Sequence, residues 1–153
     1  MNNKTIKFET TRTKDRPLRI FKIGAWWPFF WSGNIAASCF FGILLWYKKK
    51  WDEMDDDDKE VLYQHELCHY YQAKRDWYYY ILYIISPRKR ALYEIEAYIV
   101  SFKVSLELGI WKEYELLEFA EWVAELLSSS TYLWTCKKQW AYGKFMEIYA
   151  THK

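Results

Sequence analysis

Cysteine and histidine are scarce in this chain of 153 residues, which holds three of each. Cys39, Cys68 and Cys136 are widely spaced and form no C-x-x-C pair. That argues against a disulfide framework and against a cysteine-built metal site. A reducing compartment, the cytoplasm, is the expected setting. Charge of one sign is also lacking in excess, since the formal net charge is only +2. A dedicated nucleic-acid binder would carry far more. The first twenty or so residues are polar and basic, so no signal peptide precedes the apolar stretch that follows. Internal repeats and low-complexity linkers are missing as well. The length fits one domain, 1–153, with a real hydrophobic core.

Aromatic residues are abundant. They make up 22% of the chain, with 10 Trp and 14 Tyr. Both side chains suit half-wet surfaces such as peptide clefts, interfaces and membrane boundaries. Charge is unevenly spread. Residues 1–22 are basic, 94–125 mostly acidic, and the tail after Ser128 basic again. This reads as solvated surface, with a docking arm for an anionic surface as the other reading.

Residues 1–50 read mostly as strands. Residues 5–10 alternate weakly and are rich in β-branched side chains, 14–17 form a turn, and 18–23 a second strand. An uncharged run over 23–47 is long enough to span a bilayer. Pro28 and the cluster Ser32, Gly33, Asn34 break it with a turn signal, which favours strands over an anchor. Residues 35–47 then read as one long strand. The four aspartates at 55–58 open a helix, because acidic side chains cap free N–H groups and oppose the helix dipole. That helix is expected to continue into the apolar, aromatic region 78–85 and to stop at Ser86 and Pro87. Further helices are predicted over 89–108, with Gly109 as C-cap, and over 112–127. The basic tail 128–153 is partly helical, and His152 is read as a disordered tail residue.

The most informative stretch is His65-Glu66-Leu67-Cys68-His69, an H-E-x-x-H motif. On a helix, histidines four apart lie about 40° apart around the axis and can bind one metal ion, usually zinc. The glutamate between them is placed to act as general base toward a metal-activated water. This is the chemistry of a metallopeptidase. A catalytic zinc site needs a third protein ligand and one open position. The extended H-E-x-x-H-x-x-G-x-x-H pattern is absent, because Gln72 stands where it has glycine. Asp76 lies about two turns beyond His69, too far to close the shell.

The next helix carries Glu94 and Glu96. Taking Leu92, Ile95, Ile99, Phe102 and Leu106 as the apolar face, Glu96 lies roughly 75° from its centre and Glu94 roughly 125°. Glu96 is therefore the expected third ligand. Glu94 is the alternative, and a boundary carboxylate paired with Lys103 or Arg90 is the plain structural role for Glu96. The two acids are about 200° apart, so one regular helix cannot aim both at the same ion. Cys68 projects near His65 and is expected to be a small packing residue.

The run His65-Glu66-Leu67-Cys68-His69-Tyr70-Tyr71-Gln72, followed by Glu94-Ile95-Glu96-Ala97, resembles the gluzincin branch of the zincin metallopeptidases. The likeness covers roughly residues 35–105 and is closest to the minimal single-domain members of bacteria and phages. It implies an α+β minimal zincin fold: a small twisted N-terminal sheet, an active-site helix, a glutamate helix and C-terminal helices. The strand at 35–47 would frame the cleft and hold an extended peptide by main-chain pairing. One departure stands out. An aspartate that orients a zinc histidine in thermolysin-like relatives is replaced by Val100. Support for His65 must come from another group, such as a backbone carbonyl or Gln72.

The expected activity is zinc-dependent hydrolysis of peptide bonds, with Zn2+ held by His65, His69 and Glu96 and the water activated by Glu66. Peptides or proteins are the expected substrates. Tyr70, Tyr71, Tyr93 and Tyr98 are candidates for stabilising the oxyanion. A zinc-stabilised binding protein without turnover is the rival reading, and a membrane association through 23–47 is a third. An intramembrane site is not expected, because charged residues flank the motif closely.

Overall fold

The computed structural model describes residues 18–23, 37–40, 43–47, 52–132 and 136–151. The expected strand at 5–10, the turn at 14–17, the breaking cluster at 28–34 and His152 lie outside these residues. Among the described residues the chain is mostly helical, with a small sheet at its N-terminal end. Strands β1 (Arg19–Ile23), β2 (Ala37–Phe40) and β3 (Ile43–Tyr47) are ordered β1-β3-β2. β1 runs parallel to β3, with Arg19 opposite Ile43, and β2 runs antiparallel to it, with Phe40 opposite Ile43. The single long strand expected over 35–47 is therefore two antiparallel strands. Its C-terminal half, β3, is the centre of the three strands, and β2 is an edge strand that runs against the motif helix.

Helix α1 (Asp56–Arg75) starts as its acidic run predicts. Asp55 is the N-cap and accepts a hydrogen bond from the Asp58 N–H at 2.7 Å. Contrary to expectation, the helix does not continue into 78–85. Asp76 takes an extended conformation, its N–H bonds the Gln72 carbonyl, and its carboxylate accepts two hydrogen bonds from the Arg75 guanidinium at 3.1 and 3.0 Å. The helix ends there, and the Tyr79 N–H bonds the Asp76 carbonyl as the chain turns back. A short helix α2 (Tyr79–Ile85) follows the turn.

Ser86 caps helix α3 (Pro87–Leu108), and Pro87 occupies its first turn, where the missing N–H has no cost. Gly109 ends it at φ 75°, the left-handed conformation that glycine adopts freely. A single 3-10 turn at Glu113–Glu115 leads into α4 (Leu116–Ser128), and α5 (Lys138–Thr151) closes the chain. The tail is core rather than appendage, since Ala141, Phe145 and Tyr149 recur every four residues and are buried.

Two apolar clusters form. Ile95, Ile99 and Phe102 of α3 pack with Phe119, Val123 and Leu127 of α4 and Phe145 of α5. Leu18 and Leu44 of the sheet region pack with Tyr63 and Leu67 of α1. Helix α3 is buried on both sides, between α1 and the α4–α5 pair. The seam between α1 and α3 is polar, and the motif lies in it. No helix among the described residues is long and apolar enough to cross a membrane.

Candidate metal centre

His65, His69 and Glu94 come together in that seam, all buried, with one ligand atom from each lying within 4.8 Å of the others. Nε2 of His65 is 3.5 Å from one Glu94 carboxylate oxygen, and Nε2 of His69 is 3.5 Å from the other. That is long for a charge-assisted hydrogen bond, typically about 2.7–2.9 Å. It is close to the separation of two ligands of one tetrahedral zinc, about 3.3 Å for bonds of about 2.0–2.1 Å.

The other nitrogen of each ring is already engaged. His65 Nδ1 lies 3.0 Å from Ser101 Oγ, whose own hydrogen goes to the Ala97 carbonyl at 3.1 Å. With that hydrogen on the Ala97 carbonyl, Ser101 accepts from His65 and the ring proton sits on Nδ1. His69 Nδ1 is 2.8 Å from Gln72 Oε1. The amide orientation of Gln72 is fixed, because its nitrogen donates to the Tyr93 carbonyl at 2.8 Å and to Glu96 at 3.0 Å. Its oxygen can only accept, so His69 also carries its proton on Nδ1. Two Nε2 lone pairs thus face one carboxylate. Without a cation between them, either a proton or mutual repulsion must intervene.

The electrostatics agree. Burial opposes a charged His69, but the Glu94 carboxylate, with Glu66 nearby, outweighs it and pushes the ring up to about 9. Burial likewise opposes a charged Glu94, but the two histidines hold its carboxyl well below the usual range. Such a site attracts positive charge. A set of two imidazole nitrogens and a carboxylate, buried and oriented through hydrogen bonds from Nδ1, fits a divalent transition metal.

Glu94 is held by more than the histidines. The hydroxyl of Tyr83 donates to one oxygen, and that of Tyr132 to the other at 3.1 Å. Tyr98 in turn lies 2.9 Å from the Tyr132 hydroxyl, and its ring meets the edge of His65. Burial, reinforced by Glu94, pushes the hydroxyls of Tyr83, Tyr98 and Tyr132 upward, so all three remain donors.

Glu96, the ligand expected from helical phase, is not at the centre. It pairs with Arg75 Nη1 at 3.1 Å and accepts from Gln72. The physical reason is that α3 has two buried faces. The apolar face used for phasing is the one against α4 and α5. The face toward α1 is the stripe Glu94, Ala97, Ser101, Ser105, all buried and small or polar. Glu94 lies on it and Glu96 does not. Glu66 is buried beside the pair, close enough for its charge to raise His69. Cys68 is buried, its thiol is pushed up chiefly by that burial, and it is not among the converging ligand atoms.

Of the tyrosines singled out in the sequence, Tyr98 reaches the centre. Tyr70 and Tyr71 pack on the sheet-side cluster, and Tyr93 gives its carbonyl to Gln72. Ser101, Tyr83 and Tyr132 escaped notice. Ser101 alone had a local signal, being seven residues after Glu94 and so two turns on along the same stripe. Compared with family models, curated proteins and solved structures, the chain matches none.

Proposed function

We propose that this protein is a zinc-dependent metallopeptidase of minimal gluzincin type, with His65, His69 and Glu94 as ligands and Glu66 as general base. The observation that carries the reading is the convergence of two Nε2 lone pairs on a buried carboxylate, with both Nδ1 protons used elsewhere. A helix bearing H-E-x-x-H, a following helix bearing the carboxylate and a small sheet against the first helix agree with it. Zinc bound there would supply Lewis acidity toward a peptide carbonyl and acidify a water at its open position. The Glu66 carboxylate takes the proton of the attacking water and delivers it to the leaving amine nitrogen. Ser101 and Gln72 keep the two imidazoles in the tautomer that leaves Nε2 free. Tyr83 and Tyr132 give their hydroxyl hydrogens to the two oxygens of Glu94 and hold its carboxylate toward the imidazoles.

The test uses purified chain. Stoichiometric zinc, cleavage of a peptide library, and loss of cleavage with retained zinc in Glu66→Gln are expected. Full cleavage by Glu66→Gln rejects the mechanism.

A second reading has its own support. All three ligand side chains are buried, and Tyr83, Tyr98 and Tyr132 close around them. Closed sites are characteristic of structural zinc. Under this reading the metal holds α1 to α3, and the chain binds a partner without turnover. Stoichiometric zinc with no cleavage of any peptide pool would establish it.

A further inference from the structure

Helix α2 is two-sided. Tyr79 and Tyr83, four residues apart, face inward, Tyr79 toward the His69 ring and Tyr83 onto Glu94. On the opposite side Ile81, Ile84 and Ile85 are 58%, 68% and 68% exposed. With about 100° per residue these three fall within an arc of about 100°, centred opposite the tyrosines. The turn before the helix adds Trp77, 78% exposed, and Tyr78, whose rings lie against each other. Five large apolar side chains are thus exposed within residues 77–85, a ridge along α2 and the turn before it.

The ridge is framed by positive charge. In the chain Lys74 precedes it, with its ammonium over the Tyr70 ring, and Arg88, with its guanidinium over the Trp140 ring, and Lys89 follow it; all three are exposed. No acidic residue occurs from Trp77 to Tyr93. The outward side chains offer two polar groups, the Trp77 indole N–H and the Tyr78 hydroxyl, beside three purely aliphatic side chains, a sparse set for specifying a protein partner. A two-fold pairing with a second copy would set Lys74, Arg88 and Lys89 near the same residues of its neighbour. Of the other exposed apolar residues, Tyr114 and Leu117 sit among Glu113, Glu115 and Glu118 and lack this frame.

We propose that the Trp77–Tyr78–Ile81–Ile84–Ile85 ridge is a docking surface for an anionic lipid bilayer. The isoleucines enter the acyl boundary, the aromatic pair sits at headgroup depth, and the three basic side chains meet lipid phosphates. The surface is separate in sequence from the uncharged run at 23–47. The inner face of the same helix holds Glu94, so docking would bring the metal centre to the membrane surface.

The test is cosedimentation of the full-length chain with vesicles. Binding to mixed phosphatidylcholine–phosphatidylglycerol vesicles should exceed binding to phosphatidylcholine alone by about tenfold and fall with added salt. The double variant Ile84→Asp, Ile85→Asp should lose about tenfold in binding, with unchanged circular dichroism and metal content. Should that variant misfold, the exposed pair Arg88→Glu, Lys89→Glu must show the same loss. Leu117→Asp should bind as wild type does. Absence of wild-type binding to anionic vesicles overturns the proposal, as does binding that survives both double variants. Concentration-dependent self-association in sedimentation velocity, abolished by the Ile84→Asp, Ile85→Asp change and kept by Leu117→Asp, assigns the ridge to a second copy and also overturns it.

Discussion

Ser101 accepts the Nδ1 proton of His65 at 3.0 Å, one turn after the residue whose carbonyl takes the serine's own hydrogen. The serine is therefore placed to hold the His65 ring, and it lies on the same stripe of α3 as Glu94. It is a weaker acceptor than a carboxylate, and it adds no negative charge to a seam that already holds Glu66 and Glu94.

Removing that acceptor should loosen the metal without unfolding the chain. Ser101→Ala leaves the His65 ring free to rotate or change tautomer. Zinc affinity, measured by competition with a chromogenic chelator, is expected to fall about 10–100-fold. Unchanged affinity would show that packing against Tyr98 is enough to hold the ring.

The two acids of α3 should separate cleanly. Glu94→Gln removes a ligand, and purified protein should lose stoichiometric zinc. Glu96→Gln should keep it. The second change leaves Arg75 with Asp76 as its remaining carboxylate, in a partly exposed setting, so its cost is about 1 kcal/mol in a denaturant titration. Zinc loss confined to Glu96→Gln would reverse the ligand assignment.

That same pair marks what could be read from the chain. The motif, the Asp55 cap, the Pro87 start and the Gly109 stop are local signals, and each depends on a few neighbouring residues. The choice between Glu94 and Glu96 depends on which side of α3 meets α1. An apolar stripe marks a buried face but not its partner. Here the stripe belongs to α4 and α5, while small and polar residues line the approach to α1. The break at Asp76 and the reach of Tyr83 and Tyr132 into the site are also tertiary facts. Tyr132 is 38 residues from Glu94 along the chain.

Gln72 carries more than its polarity suggests. It is fully buried and satisfies His69, the Tyr93 carbonyl and Glu96 at once. Gln72→Leu keeps the approximate volume but strands a buried donor on His69, while the Tyr93 carbonyl keeps its partner within α3. With about 1–3 kcal/mol for the orphaned group, a loss of that size is expected in urea unfolding. A loss below about 0.5 kcal/mol would mean that water reaches this group.

The metal-free chain should show an opposite pH dependence to the metal-bound one. His69 is raised to about 9, against about 6.5 when unfolded. A raised basic group contributes stability fully below about pH 6.5, and that contribution is lost as pH rises through about 9. Glu94 is depressed, so its contribution is present above about pH 4.5 and is lost as pH falls through its lowered value. Metal-free protein should therefore melt highest between about pH 4.5 and 6.5 and lose stability steadily toward pH 10. Metal must displace the His69 proton, so zinc affinity should rise with pH up to about 9, with proton release on binding below that point. Zinc should then raise the melting temperature more at pH 9 than at pH 6. Thermal melts with and without zinc at those two values measure the difference directly. A metal-free melting temperature that stays flat from pH 6 to pH 10 would mean that no proton bridges His69 and Glu94.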